Sequence, residues 1–219
     1  VIMSHFSVLV LHSEEQSVED MLLPYMENCC GQPPFEYMEF YEDEDCEIDN
    51  ITGKRGYWQN PDAKWDWYVI GGRWAGLLKA KEGIRYEPEG RYKKGYFDEA
   101  KLGDCDFSLD EKEYQVFLQQ WEEKIDTDTQ EEAFEFWPLG REGIKKRYGN
   151  KEQYAKNMAS FCTRAVVTPD GEWHEEGEML WWGISSESDV DALNWQKTYY
   201  ERFLKEADPN LIVTVVDCH

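Results

Sequence analysis

Basic residues are scarce in this sequence: 23 lysines and arginines stand against 46 aspartates and glutamates, which gives a formal net charge of −23 at pH 7. A protein that follows the phosphate backbone of a nucleic acid needs a positive field, so this balance argues against direct nucleic-acid binding. A solvated acidic surface, a basic partner protein and mimicry of the DNA polyanion are all compatible with it.

Metal-type cysteine spacing is also missing. None of the six cysteines forms a C-x-x-C pair, so the sequence predicts no zinc knuckle, and no metal is assigned. A secreted disulfide scaffold would be smaller and denser in cysteine, which favours reduced thiols in a cytosol. A nucleophilic dyad of a histidine with Cys162 or Cys218 rests on residue type alone.

Targeting segments and the common catalytic motifs are lacking as well. There is no signal peptide and no apolar run of about 18 residues, so we expect the chain not to span a membrane. Walker, G-x-S-x-G and HExxH motifs do not occur, which leaves the motif-marked enzyme classes unsupported. We expect no cofactor.

The residues that are present predict a folded α+β protein. Apolar runs at the two ends, His5–Leu11 and Leu211–Val216, predict strands, whereas Asp110–Ile125 has apolar residues at helical spacing. The order of elements predicts a single domain over residues 1–219 with a mostly antiparallel, ferredoxin-like-related sheet. Residues 81–160 are predicted to form a largely helical insertion within that domain.

The segment NPDAKWDWYVIGGRWAG at 60–76 is the densest in side chains that can both pack and bind. Its pattern predicts a strand over Trp65–Ile70, a two-residue hairpin turn at Gly71-Gly72 and a returning strand over Arg73–Leu78. One interpretation is an aromatic-rich hairpin of the core. The other is a pocket wall, in which tryptophan faces stack a ring and an arginine holds an anion.

The pocket interpretation assigns ligand binding to residues that share a flat aromatic face, a charge or a polar group. They are Trp65, Asp66, Trp67, Tyr68, Arg73, Trp74, Glu178, Trp181, Trp182 and Asp217. Rings for stacking combined with Arg73 as an anion clamp predict a small nucleotide-like or anionic ligand.

Three of the four histidines, His5, His174 and His219, are candidates for catalysis. His5 opens the first predicted strand and His219 ends the last, so the two meet at one end of the sheet if these strands are antiparallel neighbours. Asp217 or Glu178 would orient such a histidine, and the set suits phosphodiester or glycosidic hydrolysis. By residue type alone, a His/His/Asp metal site and plain backbone satisfaction of the histidines are also open.

Four short stretches carry a resemblance: MSHF at 3–6, KWDWY-x-IGGRW at 64–74, DG-x-WH with GEM-x-WWG at 170–183, and VVDCH at 215–219. They resemble a family of uncharacterised proteins in phage and prophage genomes, and they lie in the two sheet-forming ends of the chain. The family supplies no established activity. The resemblance implies an accessory phage protein that acts in a bacterial host cytoplasm, a class whose members often counter host defence.

Three functions are compatible with these observations. The first is a protein that binds and sequesters a nucleotide-like host defence signal in the tryptophan and arginine pocket. The second is a hydrolase that degrades such a signal with its histidines. The third is an acidic inhibitor of a host defence protein, such as a DNA mimic, for which the net charge of −23 is the warrant. Neither a membrane nor a nucleic acid is expected as a direct partner.

Overall fold

The computed structural model describes residues 5–28, 33–85, 94–127, 140–177 and 189–219. The strands are β1 (Phe6–His12), β2 (Glu39–Glu42), β3 (Gly56–Gln59), β4 (Tyr68–Ile70), β5 (Leu78–Lys79), β6 (Tyr96–Phe97), β7 (Glu99–Lys101), β8 (Ala165–Val167), β9 (Trp173–Glu175) and β10 (Ile212–Cys218). The helices are α1 (Val18–Leu22), α2 (Glu111–Gln120), α3 (Gly140–Tyr148), α4 (Lys151–Ala159) and α5 (Asp189–Phe203). The fold is mixed α+β, as predicted. None of these helices is both long and apolar enough to cross a membrane.

The main sheet is built on β1 and β10, the two apolar runs predicted at the ends of the chain. Its strand order is β4-β10-β1-β8-β9, and β7 also pairs with β10. β1 runs antiparallel to β10 and parallel to β8, while β4 and β7 are antiparallel to β10. All seven residues of β1 are buried, as expected for a central strand covered on both faces.

The chain divides into two compact units, with boundaries after Asp104, Arg164, His174 and Ala207. The first unit holds β1 to β8 and β10, and the second holds α2 to α5. Within the stretch 81–160, β7 pairs with β10, and the helices begin at Glu111. A single domain over residues 1–219 stays a prediction.

The helix expected over Asp110–Ile125 is confirmed. The Asp110 side chain accepts hydrogen bonds from the backbone N–H groups of Lys112 and Glu113, which caps α2. α2 continues as a π-helical turn over Trp121–Ile125. Its apolar side packs in a cluster of buried residues: Trp121, Ile125, Ile144, Tyr148 and Tyr154.

The hairpin predicted around Gly71-Gly72 is wrong. The two glycines do take positive φ, 73° and 54°, but the chain then enters a 3-10 helical turn over Gly72–Trp74. The strand before them is only β4, which pairs with β10, whereas β5 pairs with β6. A local turn signal does not report that a buried strand elsewhere in the chain is available as a partner, and here that long-range pairing prevails.

Trp65 belongs to the core and not to an open pocket. It is 5% exposed, its Nε1–H donates to the Leu22 carbonyl at 2.9 Å, and its ring meets that of Tyr68 edge-on at 5.1 Å. The indole thus has both an apolar environment and a hydrogen-bond partner, which is the usual condition for a buried tryptophan.

Trp65→Ala should therefore lower the free energy of unfolding by about 3–5 kcal/mol, because it leaves a cavity and an unpaired carbonyl. Trp67→Ala is the matched control: its ring is 49% exposed, and the loss should be about 1 kcal/mol or less. Urea unfolding followed by circular dichroism measures both. Equal losses for the two variants would contradict the core position of Trp65.

Candidate functional site

One end of the main sheet gathers two of the predicted catalytic histidines. The β1–β10 register opposes Phe6 to Cys218, so the next residues outward, His5 and His219, lie side by side. Their ring centroids are 5.3 Å apart, with an angle of 65° between the ring planes. The two histidines were expected to meet if the first and last strands were antiparallel neighbours, and β1 and β10 are antiparallel neighbours.

Side-chain alternation brings further site residues to this end of the sheet. Asp217 lies two residues before His219, and so on the same face of the chain. Val69 of β4 opposes Asp217, which places Trp67, two residues before Val69, on that face as well. The Trp67 ring centroid is 6.0 Å from that of His5 in an edge-on arrangement.

His5 is fixed through one ring nitrogen. Its Nδ1 lies 2.8 Å from Oδ1 of Asp217, whose side chain is almost fully buried. Because a carboxylate only accepts, Nδ1 must carry the proton and donate it. The second oxygen of Asp217, Oδ2, accepts from the backbone N–H of Arg73 at 2.9 Å. In the tautomer with the proton on Nδ1, Nε2 is the acceptor of the His5 ring.

His219 repeats this arrangement with a different acid. Its Nδ1 lies 2.7 Å from Oδ1 of Asp66. Two backbone hydrogen bonds hold the pair: the Asp66 N–H donates to the His219 carbonyl, and the His219 N–H donates to the Trp67 carbonyl, each at 2.9 Å. The other ring nitrogen, Nε2, is buried and has no hydrogen-bond partner in the described part of the chain. A buried polar atom left in this state asks for a physical explanation.

The fourth histidine, His12, shows the contrast. Its Nδ1 donates to the carbonyls of Ser13 and Gln16 at 3.0 Å, and its Nε2 lies 3.1 Å from Oγ1 of Thr214. Both ring nitrogens are satisfied, so His12 is a structural residue. In His5 and His219, by comparison, the hydrogen bonds seen within the described residues involve only Nδ1.

Gly72 explains why the site tolerates a buried carboxylate. It has φ of 54°, and a Cβ at this position would overlap the side chain of Asp217. Without a side chain here, the turn approaches closely enough for the next N–H, that of Arg73, to reach Asp217. The Arg73 side chain itself is exposed. The glycine pair thus serves close approach, a role that the hairpin interpretation did not foresee.

The remaining predicted residues lie in different places. Burial raises the pKa of Tyr68, which packs on Trp65, and Trp74 is half-buried in the turn that carries Arg73. His174 lies on β9, at the far edge of the sheet from β4, with Nε2 3.7 Å from the Glu172 carboxylate. Three predicted ligand-binding residues fall outside the described residues: Glu178, Trp181 and Trp182.

Neither a cysteine dyad nor a metal centre finds support in this geometry. Burial raises the pKa of the thiols of Cys162 and Cys218, which disfavours the thiolate that a nucleophilic cysteine needs. Among the residues that the structure covers, no group of three or more His, Cys, Asp or Glu side chains could hold a metal ion. Asp66 and Asp217 orient the imidazoles instead.

Gly72→Ala should displace the Asp217 carboxylate and release His5. Gly53→Ala is the matched control, since Gly53 has φ of 70° but nothing within 4 Å of an added Cβ. Both variants carry the backbone strain of positive φ, and Gly72→Ala should cost about 1–3 kcal/mol more in unfolding free energy because of the overlap. Chemical denaturation gives the costs, and loss of the hydrogen-bonded Nδ1 proton of His5 in NMR spectra gives the local effect. Equal costs with that proton retained would rule out the close approach.

The chain matches no protein-family model, no curated protein and no solved structure. What the site does is therefore inferred from its own geometry.

Proposed function

We propose that the protein binds a small anionic, nucleotide-like ligand over the pair His5 and His219 and cleaves a phosphodiester bond in it. The observation that supports this is the pair itself: two imidazoles, each anchored through Nδ1 to its own carboxylate, with ring centroids 5.3 Å apart. Two histidines that leave Nε2 for a ligand are the groups needed for paired acid and base catalysis.

Phosphodiester cleavage fits the arrangement better than glycosidic cleavage. Glycosidases generally place two carboxyl groups against the scissile bond. Here Asp66 and Asp217 are each engaged with a histidine, so the imidazoles are left to meet the ligand. Asp217 is also nearly fully buried, which keeps it from contacting a substrate.

In the proposed reaction, Nε2 of the neutral histidine accepts a proton from the attacking water as the new P–O bond forms. Nε2 of the other, protonated histidine donates its proton to the leaving oxygen as the old P–O bond breaks. The sum is the addition of one water across the bond, and proton exchange with solvent restores the starting charges. Asp66 and Asp217 fix the tautomers and stabilise the imidazolium forms.

Trp67 and Arg73 would supply binding in this proposal. Trp67 is half exposed beside His5 and offers a face for a nucleobase, and the exposed Arg73 would hold a phosphate. Because Nε2 of His219 is buried, a local movement has to open access to it before a ligand can reach it.

The biological role that we infer from the phage resemblance is removal of a nucleotide defence signal in a bacterial host cytoplasm. Sequestration without cleavage would serve the same end with the same binding residues. The net charge of −23 favours one further candidate, an acidic inhibitor of a basic host protein. Such an inhibitor would bind its target in a salt-sensitive way and would not need Arg73.

Turnover and capture are distinguished by incubating the protein with an excess of cyclic and linear dinucleotides and following products by liquid chromatography. His5→Ala and His219→Ala should each lower the rate by about 100-fold or more, because each removes an acid or a base. Arg73→Ala should weaken binding by about 10-fold or more, and Arg85→Ala, which removes another exposed arginine, should not. Stoichiometric binding without product would replace catalysis by capture, and no binding of any nucleotide would refute the site.

The pH dependence is a separate check on the paired mechanism. Turnover requires one neutral and one protonated imidazole at the same time, so the rate should fall on both sides of an optimum. On the acid side the base is lost, and on the alkaline side the acid is lost. Measurement of kcat/KM across the pH range tests this, and a rate that rises to a plateau on one side only would contradict the two-histidine assignment.

A further inference from the structure

We propose that a groove in the second compact unit, which holds α2 to α5, is a second ligand site. It would bind a planar aromatic ring that carries an anionic group. The groove has a volume of about 440 Å³ and lies between α4, α5 and the segments around Phe107 and Phe161. This volume falls within the range of roughly 300–1,000 Å³ that is usual for small-molecule sites.

An aromatic wall forms one side of the groove. The ring of Phe107 lies 5.0 Å from that of Phe161 and 6.2 Å from that of Tyr200, measured between centroids. Tyr200 is 45% exposed, whereas Phe107 and Phe161 are half-buried. The Tyr200 ring therefore offers a face or an edge against which another planar ring packs favourably.

The charge of the groove is opposite to that of the chain. Acidic residues outnumber basic ones two to one in the sequence, 46 to 23. Yet among the described residues that line the groove, the two charged side chains, Lys156 and Lys197, are both basic. Both lysines are exposed and lie on α4 and α5 respectively. Two ammonium groups beside an aromatic wall favour a ligand that carries a negative charge on or near its ring.

The buried side-chain amide of Asn157 is a second, independent observation that supports a ligand in this groove. This residue lines the groove, is 6% exposed, and accepts a hydrogen bond from Nε2 of Gln153 at 2.8 Å through its Oδ1. Its Nδ2 has no partner within the described structure. In our proposal, the Asn157 amide reorients on binding, so that a ligand atom in the groove accepts a hydrogen bond from Nδ2.

Calorimetric titration with 2-naphthalenesulfonate tests the site, and 2-naphthol serves as the uncharged ring of the same shape. The sulfonate should bind at least about 10-fold more tightly than the naphthol, and the double variant Lys156→Ala/Lys197→Ala should remove that preference. Lys112→Ala, which removes an exposed lysine on α2, should leave it unchanged. Equal affinity for the two rings, no binding of the sulfonate, or an unaffected double variant would each overturn the proposal.

The side-chain amide signals of ¹⁵N-labelled protein locate the probe. The Asn157 amide should shift on addition of 2-naphthalenesulfonate, and His5→Ala/His219→Ala should bind the probe as the wild type does. Loss of binding in that histidine variant would place the probe at the sheet and overturn the second site. Asn157→Leu should weaken binding while the protein stays folded by thermal denaturation. This outcome is separate from the proposed cleavage, because no residue is shared between the two sites.

Discussion

The antiparallel pairing of β1 with β10 is the constraint on which the site depends. It opposes Phe6 to Cys218 and so places His5 beside His219, although the two are separated by almost the whole chain. β4 joins the outer edge of β10 and carries Asp66 and Trp67 to the same place. A slip of one residue in either pairing would turn the side chains of one strand to the opposite face, and the two histidines and their carboxylates would no longer be in contact. The buried valines and leucines of β1 and β10 specify that register, so core packing and site geometry are one feature of the molecule.

A buried carboxylate in such a sheet is costly unless each oxygen is satisfied. Asp217 meets that condition with His5 on one oxygen and the Arg73 N–H on the other. The second contact exists only because Gly72 has no side chain to keep the turn away. A flexible glycine pair, which weakens the turn in isolation, is thereby used to stabilise a charge in the core. The Asp217 carboxylate in turn fixes the tautomer of His5, because it accepts a hydrogen bond from Nδ1.

Local sequence patterns predicted the parts of this structure that depend on them. Apolar runs at both ends predicted β1 and β10, helical spacing predicted α2, and the position of His5 and His219 at strand ends predicted where they would lie if those strands paired. The partner of β4 could not be foreseen, because the glycine pair signals a hairpin and the competing strand lies far away in sequence. Trp65 and Asp66 were both predicted to bind a ligand. In the structure, Trp65 is buried in the core, and the Asp66 carboxylate accepts a hydrogen bond from His219. The groove between α4 and α5 could not be predicted from the sequence, because its residues come from separate segments with no shared motif.

The acidic surface poses a physical problem for any anionic ligand, and distance resolves it. At physiological ionic strength exposed charges are screened over about 8 Å, so the net charge of −23 slows the approach of a ligand more than it weakens the bound state. In the complexes that we propose, the affinity depends mainly on the few nearest charged groups: Arg73 and an imidazolium at the sheet, and Lys156 with Lys197 at the groove. His12, with every ring nitrogen satisfied, shows that this fold can bury an imidazole without leaving a polar atom unpaired. Within the described residues, the unpaired Nε2 of His219 is therefore not forced by the sheet, and it agrees with the ligand site that we propose at this end of β10.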